Sequence, residues 1–590
     1  MKKLEGIAAS PGIVIGRAYV VHSESFRVFP RTVSNEEVER EIERFRRAIE
    51  ESKQEILVIK QKFEETAKDP DLAEIFDTHI HLHEDMVLTE ETITRVREEK
   101  MNVEFIFSRT LEEIEKKFAS LEDEYFRQRW HDIQNVGSRI LRKLLQKEKQ
   151  SLTRLNEKVI AICHDLTPAD TASMDRENVL AFATDVGGRT SHTAIMAKAL
   201  EIPAVVGLMN VTEHVRNDDV VIIDGLQGLL IVAPDEQTLN EYQIRRERFV
   251  ESERVLEQLK DLPAQTLDGQ TIGLSANIDL PEEIGSALGH GAEGIGLFRT
   301  EFFYLNRTVP PGEDEQAEAY GRVAELMCPN PVTIRTLDIG GDKVLGGNLK
   351  YREENPFMGC RAIRFCLDHP EIFKPQLRAI LRASAQGQVR LLFPMITGLS
   401  ELRRAKAVLE EAQSELQAEG IPFNPDMPIG VMIETPSAVL VADALARESD
   451  FFSIGTNDLI QYALAIDRVN ERIAHLYEPA HPGILRMLKL VIDAAEETGV
   501  HLSVCGEIAG DLSLALVIIG LGLKELSMVA TAIPEIKKLI RSVSFKDVKE
   551  LASRVLELST SEEVRQETQQ TMERLVPNYS DYKFSGWVGN

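Results

Sequence analysis

The chain has 590 residues, is 43% hydrophobic and 28% charged, and carries a formal net charge of −28; this is an ordinary globular composition, at a length that suggests about four units of ~150 residues. So large an acidic excess argues against nucleic acid or an anionic membrane as the main partner. No apolar run approaches the ~20 residues that span a bilayer, the start MKKLEGIAAS lacks a signal-peptide core, and five cysteines without a C-x-x-C pair offer neither a disulfide framework nor a structural zinc site, so a cytoplasmic protein is expected.

Ser10-Pro11-Gly12 is a turn, and Ile13 to Val21 after it predicts a strand. Ser34 then caps a helix, with Glu37 as its capping-box partner. Val38, Ile42, Phe45, Ile49, Ile56, Ile59 and Phe63 recur by threes, fours and one seven, the pattern of a helix packed along one stripe. Two further helical segments, about 71–98 and 103–147, are set off by breaks near Asp69-Pro70 and Met101-Asn102. A helical bundle is thus inserted after the first strand. Within it, a helix puts His79 and His83 on one face but turns His81 away, and no third ligand is evident; a protein-contact face suits them better than a metal.

From Val159 the pattern changes to short β segments around one stretch, VLAFATDVGGRTSHTAIMAKALEIPAVVGL (179–208). Val179 to Val186 reads as a strand, Gly187-Gly188 breaks it, and Thr190-Ser191 stand where a helix cap belongs. The helix opens with His192 in its first turn, shows Ile195, Met196, Ala199 and Leu200 to one side, and gives way to a strand over Ala204 to Leu208. The positive end field of a helix favours a neutral imidazole and any anion placed on it, which makes His192 a nucleophile toward phosphorus. Arg189 and the two hydroxyls add donors for phosphate oxygens. Thr171, in the LTPADTA segment upstream, either hydrogen-bonds the His192 ring and fixes its orientation or simply caps a helix. The β segments end with Asp219 to Asp224 and Leu229 to Val232, and residues 235–262 form a charged connecting helix.

Beyond the connector, strand patterns alternate with helical stretches at Ile272–Ile278, Gly294–Leu297, Val332–Leu337, Val389–Met395, Ile429–Ile433, Phe451–Ile454, His501–Val504 and Leu526–Val529. Eight such units are the complement of a (β/α)8 barrel, whose reactive groups gather past the carboxyl ends of the strands. Arg299, Arg335, Glu434, Asn457 with Asp458, and Cys505 fall there. The two arginines suit capture of phosphate or carboxylate, and Arg468 adds a third cation. Glu434 and Asp458 are hard oxygen ligands of the kind Mg2+ takes together with substrate oxygens and water. Cys505 taken alone reads as a small buried hydrophobe; ending a strand on this rim, it is instead placed to act as an acid beside a carbanion.

The motifs GGRTSHTAIMAKALEIPAVVG, GAEGIGLFRTEFF (291–303), TLDIGGDK (336–343), NPFMGCRAIR (355–364), MIETPSA (432–438), GTNDLIQYALAIDR (455–468) and CGEIAGD (505–511) together resemble the enzyme I family of the bacterial sugar phosphotransferase system, the phosphoenolpyruvate–protein phosphotransferases. The likeness runs over about residues 1–570 in the right order. It implies autophosphorylation from phosphoenolpyruvate at His192 with Mg2+, transfer to a histidine of the small carrier HPr docked on the helical insert, and a homodimer through the barrel. Matched motif by motif, Arg299, Arg335, Asn457 and Arg468 hold phosphoenolpyruvate with Asp458, which also binds the metal with Glu434. Arg361 and Lys343 fall near the substrate, and Cys505 gives a proton to C3. Ile508 and Val469 depart from the family pattern without removing a reactive group, and the tail YSDYKFSGWVGN (579–590) matches nothing in it.

The expected architecture is multidomain α/β. A swivelling phosphohistidine α/β domain (1–33 and 148–234) holds an inserted carrier-binding bundle (34–147). A linker helix (235–262) joins it to a TIM-type barrel for phosphoenolpyruvate binding and dimerisation (263–572), followed by a tail (573–590). For His192 to meet both the barrel rim and a carrier, the N-terminal half must swing about the linker. Competing readings are a pyruvate phosphate dikinase or phosphoenolpyruvate synthase, which needs an ATP-binding domain ahead of the histidine domain, a barrel-only metal-dependent oxo-acid lyase, which leaves His192 idle, and a non-catalytic sensor of phosphoenolpyruvate.

Overall fold

Apolar strand segments alternate with helices through both halves of the chain, and each half closes on its own core. A computed structural model describes residues 1–21, 28–66, 80, 82–83, 86–119, 124–145, 155, 157–166, 170, 174–175, 178–188, 192–199, 202–304, 309–340, 355–468, 470 and 472–576. They form two units, Met1–Glu251 and Ser252–Asn590.

The first unit is built on eight strands: β1 (Lys2–Glu5), β2 (Ile7–Ser10), β3 (Ile13–Val21), β4 (Val159–Cys163), β5 (Val179–Thr184), β6 (Ala204–Val206), β7 (Val220–Asp224) and β8 (Leu229–Val232). Their spatial order is β1-β8-β7-β3-β4-β5-β6-β2. Strands β3 to β6 run parallel, while β7, β8 and β1 continue antiparallel on one side and β2 closes the other edge against β6. The central segments VIAIC and VLAFAT are continuous apolar runs because both of their faces are covered. Edge strand β1, KKLE, has almost no buried side chain and so carries no alternation to read. Its place comes from pairing with β8.

Between β3 and β4 stand α1 (Asn35–Thr66), α2 (Met86–Glu99), α3 (Val103–Ala119) and α4 (Glu124–Leu145). The Ser34 backbone N–H donates to Glu37 Oε2 at 2.8 Å, closing the α1 terminus as the capping box predicts. Val38, Ile42 and Phe45 enter the bundle core, where the Phe45 and Phe107 ring centroids are 5.0 Å apart. Further along the same stripe, Ile56 packs instead with Ala161, Phe182 and Met196 beneath the sheet. The single helix expected over 103–147 is two helices packed on each other, and a Cβ on Gly137 of α4 would stand 2.7 Å from Leu111 of α3. His83 is buried with Nε2 2.8 Å from Ser52 Oγ, so it belongs to the interior rather than to a contact face. His79 and His81 lie outside the described residues. The short α5 (His192–Ala199) links β5 to β6, and α6 (Glu236–Leu259) follows β8.

In the second unit β9 (Gly273–Ile278), β10 (Ile295–Phe298), β11 (Val332–Arg335), β12 (Val389–Phe393), β13 (Ile429–Ile433), β14 (Phe451–Ile454), β15 (His501–Val504) and β16 (Glu525–Val529) pair in sequence order, all parallel. Strand β16 returns to β9 and closes the barrel. Leu297, Leu392, Met432, Phe451 and Cys505 fill the interior, and a much larger apolar layer seals the strands against the surrounding helices. Among these helices are α7 (Thr456–Leu464), after β14, and α8 (Ile533–Arg541), after β16. Among the described residues no helix is long and apolar enough to cross a membrane.

Candidate active site

The carboxyl ends of the barrel strands deliver a charged cluster to one mouth. Arg335 is the last residue of β11 and is buried, with Nη2 donating to Glu301 Oε1 at 2.9 Å and Nη1 2.8 Å from Asp338 Oδ2. Burial by itself would lower its pKa, but Glu301 and Asp338, with Glu434 and Asp458 beyond, drive it up instead. Arg361 reaches the same carboxylate, with Nη2 2.7 Å from Asp338 Oδ1 and 3.5 Å from Asp458 Oδ2. Asp338 therefore spans two guanidiniums. Arg299, just past β10, donates from Nη1 to Asp279 Oδ1 at 2.9 Å just past β9 and stays partly exposed.

Glu434 follows β13 and is buried, accepting from the Met395 backbone N–H at 2.5 Å. Met395 and Ala362, the neighbours in sequence or contact of these site residues, hold φ of 56° and 54° without being glycine, a local strain typical of functional sites. Asp458, in the first turn of α7, is also buried. Ligand oxygens of Asp338, Glu434 and Asp458 all lie within 4.8 Å of one another. Burial first, and then the charges of Asp338 and Asp458, push the Glu434 carboxyl well above the usual carboxylate range. Counting Glu301, this buried region holds more carboxylates than guanidiniums, and its donors are all hard oxygens. The residues present thus fit a small divalent cation.

Asn457, beside Asp458, exchanges hydrogen bonds with Glu507 at 3.1 and 2.9 Å, tying α7 to the CGEIAGD segment. Cys505 is buried directly after β15, and its thiol donates to Ile454 O at 3.6 Å. Arg468 is exposed, with its backbone N–H on Gln461 Oε1 at 3.3 Å. His192 is the first residue of α5, while Thr193 Oγ1 donates at 2.8 Å to the carbonyl of Leu166, the first residue of LTPADTA, and ties that helix start to it. The His192 side chain and all of Thr171, Arg189 and Lys343 lie outside the described residues. Asp338, Glu301 and Asp279 complete the cluster without having been singled out by spacing, although Asp338 stands inside TLDIGGDK and Glu301 inside GAEGIGLFRTEFF.

Three family models match the chain: phosphoenolpyruvate-utilising enzyme N-terminal (residues 5–129), mobile domain (155–228) and phosphoenolpyruvate-binding domain (253–545). A phosphoenolpyruvate-protein phosphotransferase of Staphylococcus carnosus (strain TM300) is 43% identical over 563 residues, covering 95% of this chain and 98% of its own. One from Bacillus sp. (strain S) is 43% identical over 95% of this chain and 97% of its own. A solution structure of an Enzyme I protein is 44% identical, covers 42% of this chain and 99% of its own, and has a TM-score of 0.35. With those three domain matches and a likeness extending along nearly its whole length, the chain belongs to the phosphoenolpyruvate–protein phosphotransferase family.

Proposed function

We propose that the chain moves the phosphoryl group of phosphoenolpyruvate to His192 and then to a histidine of the small carrier HPr, releasing pyruvate, as the first step of sugar uptake by the phosphotransferase system. The observation that carries this reading is the barrel mouth, where Arg335 and Arg361 converge on the carboxylate cluster beside Cys505. Family membership supports it and sets aside the dikinase, lyase and sensor alternatives.

In this reading Arg299, Arg335 and Arg361, with Lys343, Asn457 and Arg468, hold the phosphate and carboxylate of the substrate. Glu434 and Asp458, with Asp338 alongside, would hold Mg2+, which would supply positive charge to neutralise the substrate oxygens and the departing enolate. His192 attacks phosphorus through a ring nitrogen, and the bond from phosphorus to the enol oxygen breaks as the new one forms. Thr171 and Arg189 orient the ring and its phosphoryl group. Cys505 supplies the proton that turns the enolate into pyruvate at C3.

The same proposal assigns 1–33 and 148–234 to the phosphohistidine domain, 34–147 to carrier docking, 235–262 to the linker, and 263–572 to substrate binding and homodimerisation, in a cytoplasmic protein. Mass spectrometry of the full chain after incubation with phosphoenolpyruvate and Mg2+ tests it. A single acid-labile phosphoryl group on His192, absent from His192→Ala, is expected. A chain that stays bare, or is modified elsewhere, overturns the reading.

A further inference from the structure

Side chains two residues apart on a strand share a face, and in-register partners on parallel strands point the same way. Met432 on β13 pairs with Ser453 on β14, and Ser453 pairs with Ser503 on β15. Met432 lies in the barrel interior with Phe451 and Cys505, so this row faces inward. Cys505, two residues past Ser503, stands above it, with Ser453 in the layer below.

Ser453 is completely buried, and its hydroxyl has no hydrogen-bond partner of ordinary geometry. Buried hydroxyls are nearly always satisfied, so an orphan one calls for an explanation. The neighbouring thiol is held rigidly. Its hydrogen points at Ile454 O, its own carbonyl accepts from Asn277 Nδ2 at 2.9 Å, and Asn277 Oδ1 in turn accepts from Ser527 Oγ at 2.6 Å. A Cβ on Gly506 would stand 1.8 Å from Thr456 Oγ1, so the chain just past Cys505 is pressed against α7. Such a thiol suits a proton donor until it acts. Once the proton has gone, the sulfur carries a buried negative charge facing a carbonyl oxygen, which repels it. Burial opposes ionisation of this thiol, and Ser453 heads the groups that favour it, ahead of Arg335. Ser453 is thus idle while the thiol is protonated and within reach when it is not.

We propose that Ser453 is a positioning residue for proton delivery, its hydroxyl turning to donate to the Cys505 sulfur as the thiol protonates the enolate. The inference rests on the function proposed above. In the step, the S–H bond breaks with its electron pair left on sulfur. The enolate pair forms the C3–H bond while its oxygen becomes the carbonyl of pyruvate, and the thiolate regains a proton from water after product leaves.

The experiment uses the full chain with Mg2+ and phosphoenolpyruvate stereospecifically deuterated at C3, reacted in tritiated water. It follows phosphohistidine formation on His192, the rate of C3 protonation and the chirality of the pyruvate methyl group. Ser453→Ala is expected to form phosphohistidine within about twofold of the parent rate. Its protonation step falls by about ten- to a hundredfold, the range for losing a hydrogen bond to a charged group, so enolpyruvate escapes and the methyl group emerges racemic. Ser453→Thr, which keeps the hydroxyl, restores chirality. A chiral methyl group at the parent rate from Ser453→Ala overturns the inference. So does an equal loss of both steps that threonine does not rescue, because it marks a structural role. A parent chain that forms no phosphohistidine fails at the earlier stage and overturns the proposed function itself.

Discussion

A single carboxylate, Asp338, holds two guanidiniums of the barrel mouth, at 2.8 Å from Arg335 and 2.7 Å from Arg361. An isosteric amide keeps the shape but not the charge, and hydrogen bonds to charged groups contribute about 1.5–3 kcal/mol each. Asp338→Asn is therefore expected to raise KM for phosphoenolpyruvate by about ten- to a hundredfold, because the arginines lose their common anchor. kcat should move less. Steady-state kinetics at saturating Mg2+, with a melting curve to establish that the variant folds, measures this, and an unchanged KM would show that the arginines keep their places without Asp338. The residues that spacing picks out most readily, Arg299, Arg335, Glu434 and Cys505, each end or directly follow an apolar run, so the strand pattern places them on the rim. Asp338 comes three residues after β11, where the chain has left the strand, and no periodicity tells which way its carboxylate points. Glu301 escapes notice for the same reason; Asp279 directly follows β9, but the sequence does not show that it pairs with Arg299 across to the next strand end.

At the scale of elements, the amino ends of the barrel strands carry stability rather than chemistry. Glu525 opens β16, accepting from Ser275 Oγ at 3.1 Å and lying 2.7 Å from His501 Nε2 at the start of β15. Burial pushes its carboxyl upward, but the hydrogen bond and charge of His501, with Arg390 and Ser275, outweigh it and hold the group below the usual carboxylate value. A folded value below the unfolded ~4.3 means stability that is fully present above that pH and lost as pH falls through the folded value. Glu525→Gln is expected to unfold at lower urea than the parent at pH 7, by about 1 kcal/mol, the typical net contribution of one hydrogen bond, with the gap narrowing as pH falls below the unfolded carboxylate value of ~4.3. Urea titrations at both pH values check the sign, and a gap that widens in acid would refute it. The barrel strands are legible in sequence because each is a short apolar run bounded by polar turns. Helix ends within the bundle are less so, because the apolar stripe runs on through 103–147 although the chain divides into α3 and α4. Strands β1 and β2 are set by the sheet edges that accept them rather than by their own residues.

For the molecule as a whole, the proposed chemistry requires His192 to serve two places, the barrel mouth and a carrier histidine, so the span between the units has to bend. The sequence puts that hinge somewhere in 235–262. Near the start of α6, Arg245 pairs at 3.1 Å with the completely buried Asp224, and Tyr242 is packed with Ile13, Ile222 and Ile231, so these turns belong rigidly to the first unit. In the second unit Lys537 of α8 donates to Lys260 O at 2.6 Å and Arg541 donates to Pro263 O at 2.7 Å, which fixes the chain just after the helix. The anchors bracket residues 246–259, and bending is expected inside that span. Small-angle scattering should therefore change when phosphoenolpyruvate and Mg2+ are added to the full chain. Val250→Gly, at an exposed position in the bracketed turns, removes a β-branched side chain, costs about 0.4 kcal/mol of helix stability, and should broaden the distance distribution before substrate is added. Because neither anchor nor the barrel mouth is touched, KM for phosphoenolpyruvate should stay at the parent value while the rate of His192 phosphorylation changes. A scattering profile indifferent to substrate would remove the bending, and a glycine variant that alters KM instead would detach the bracketed span from phosphoryl transfer.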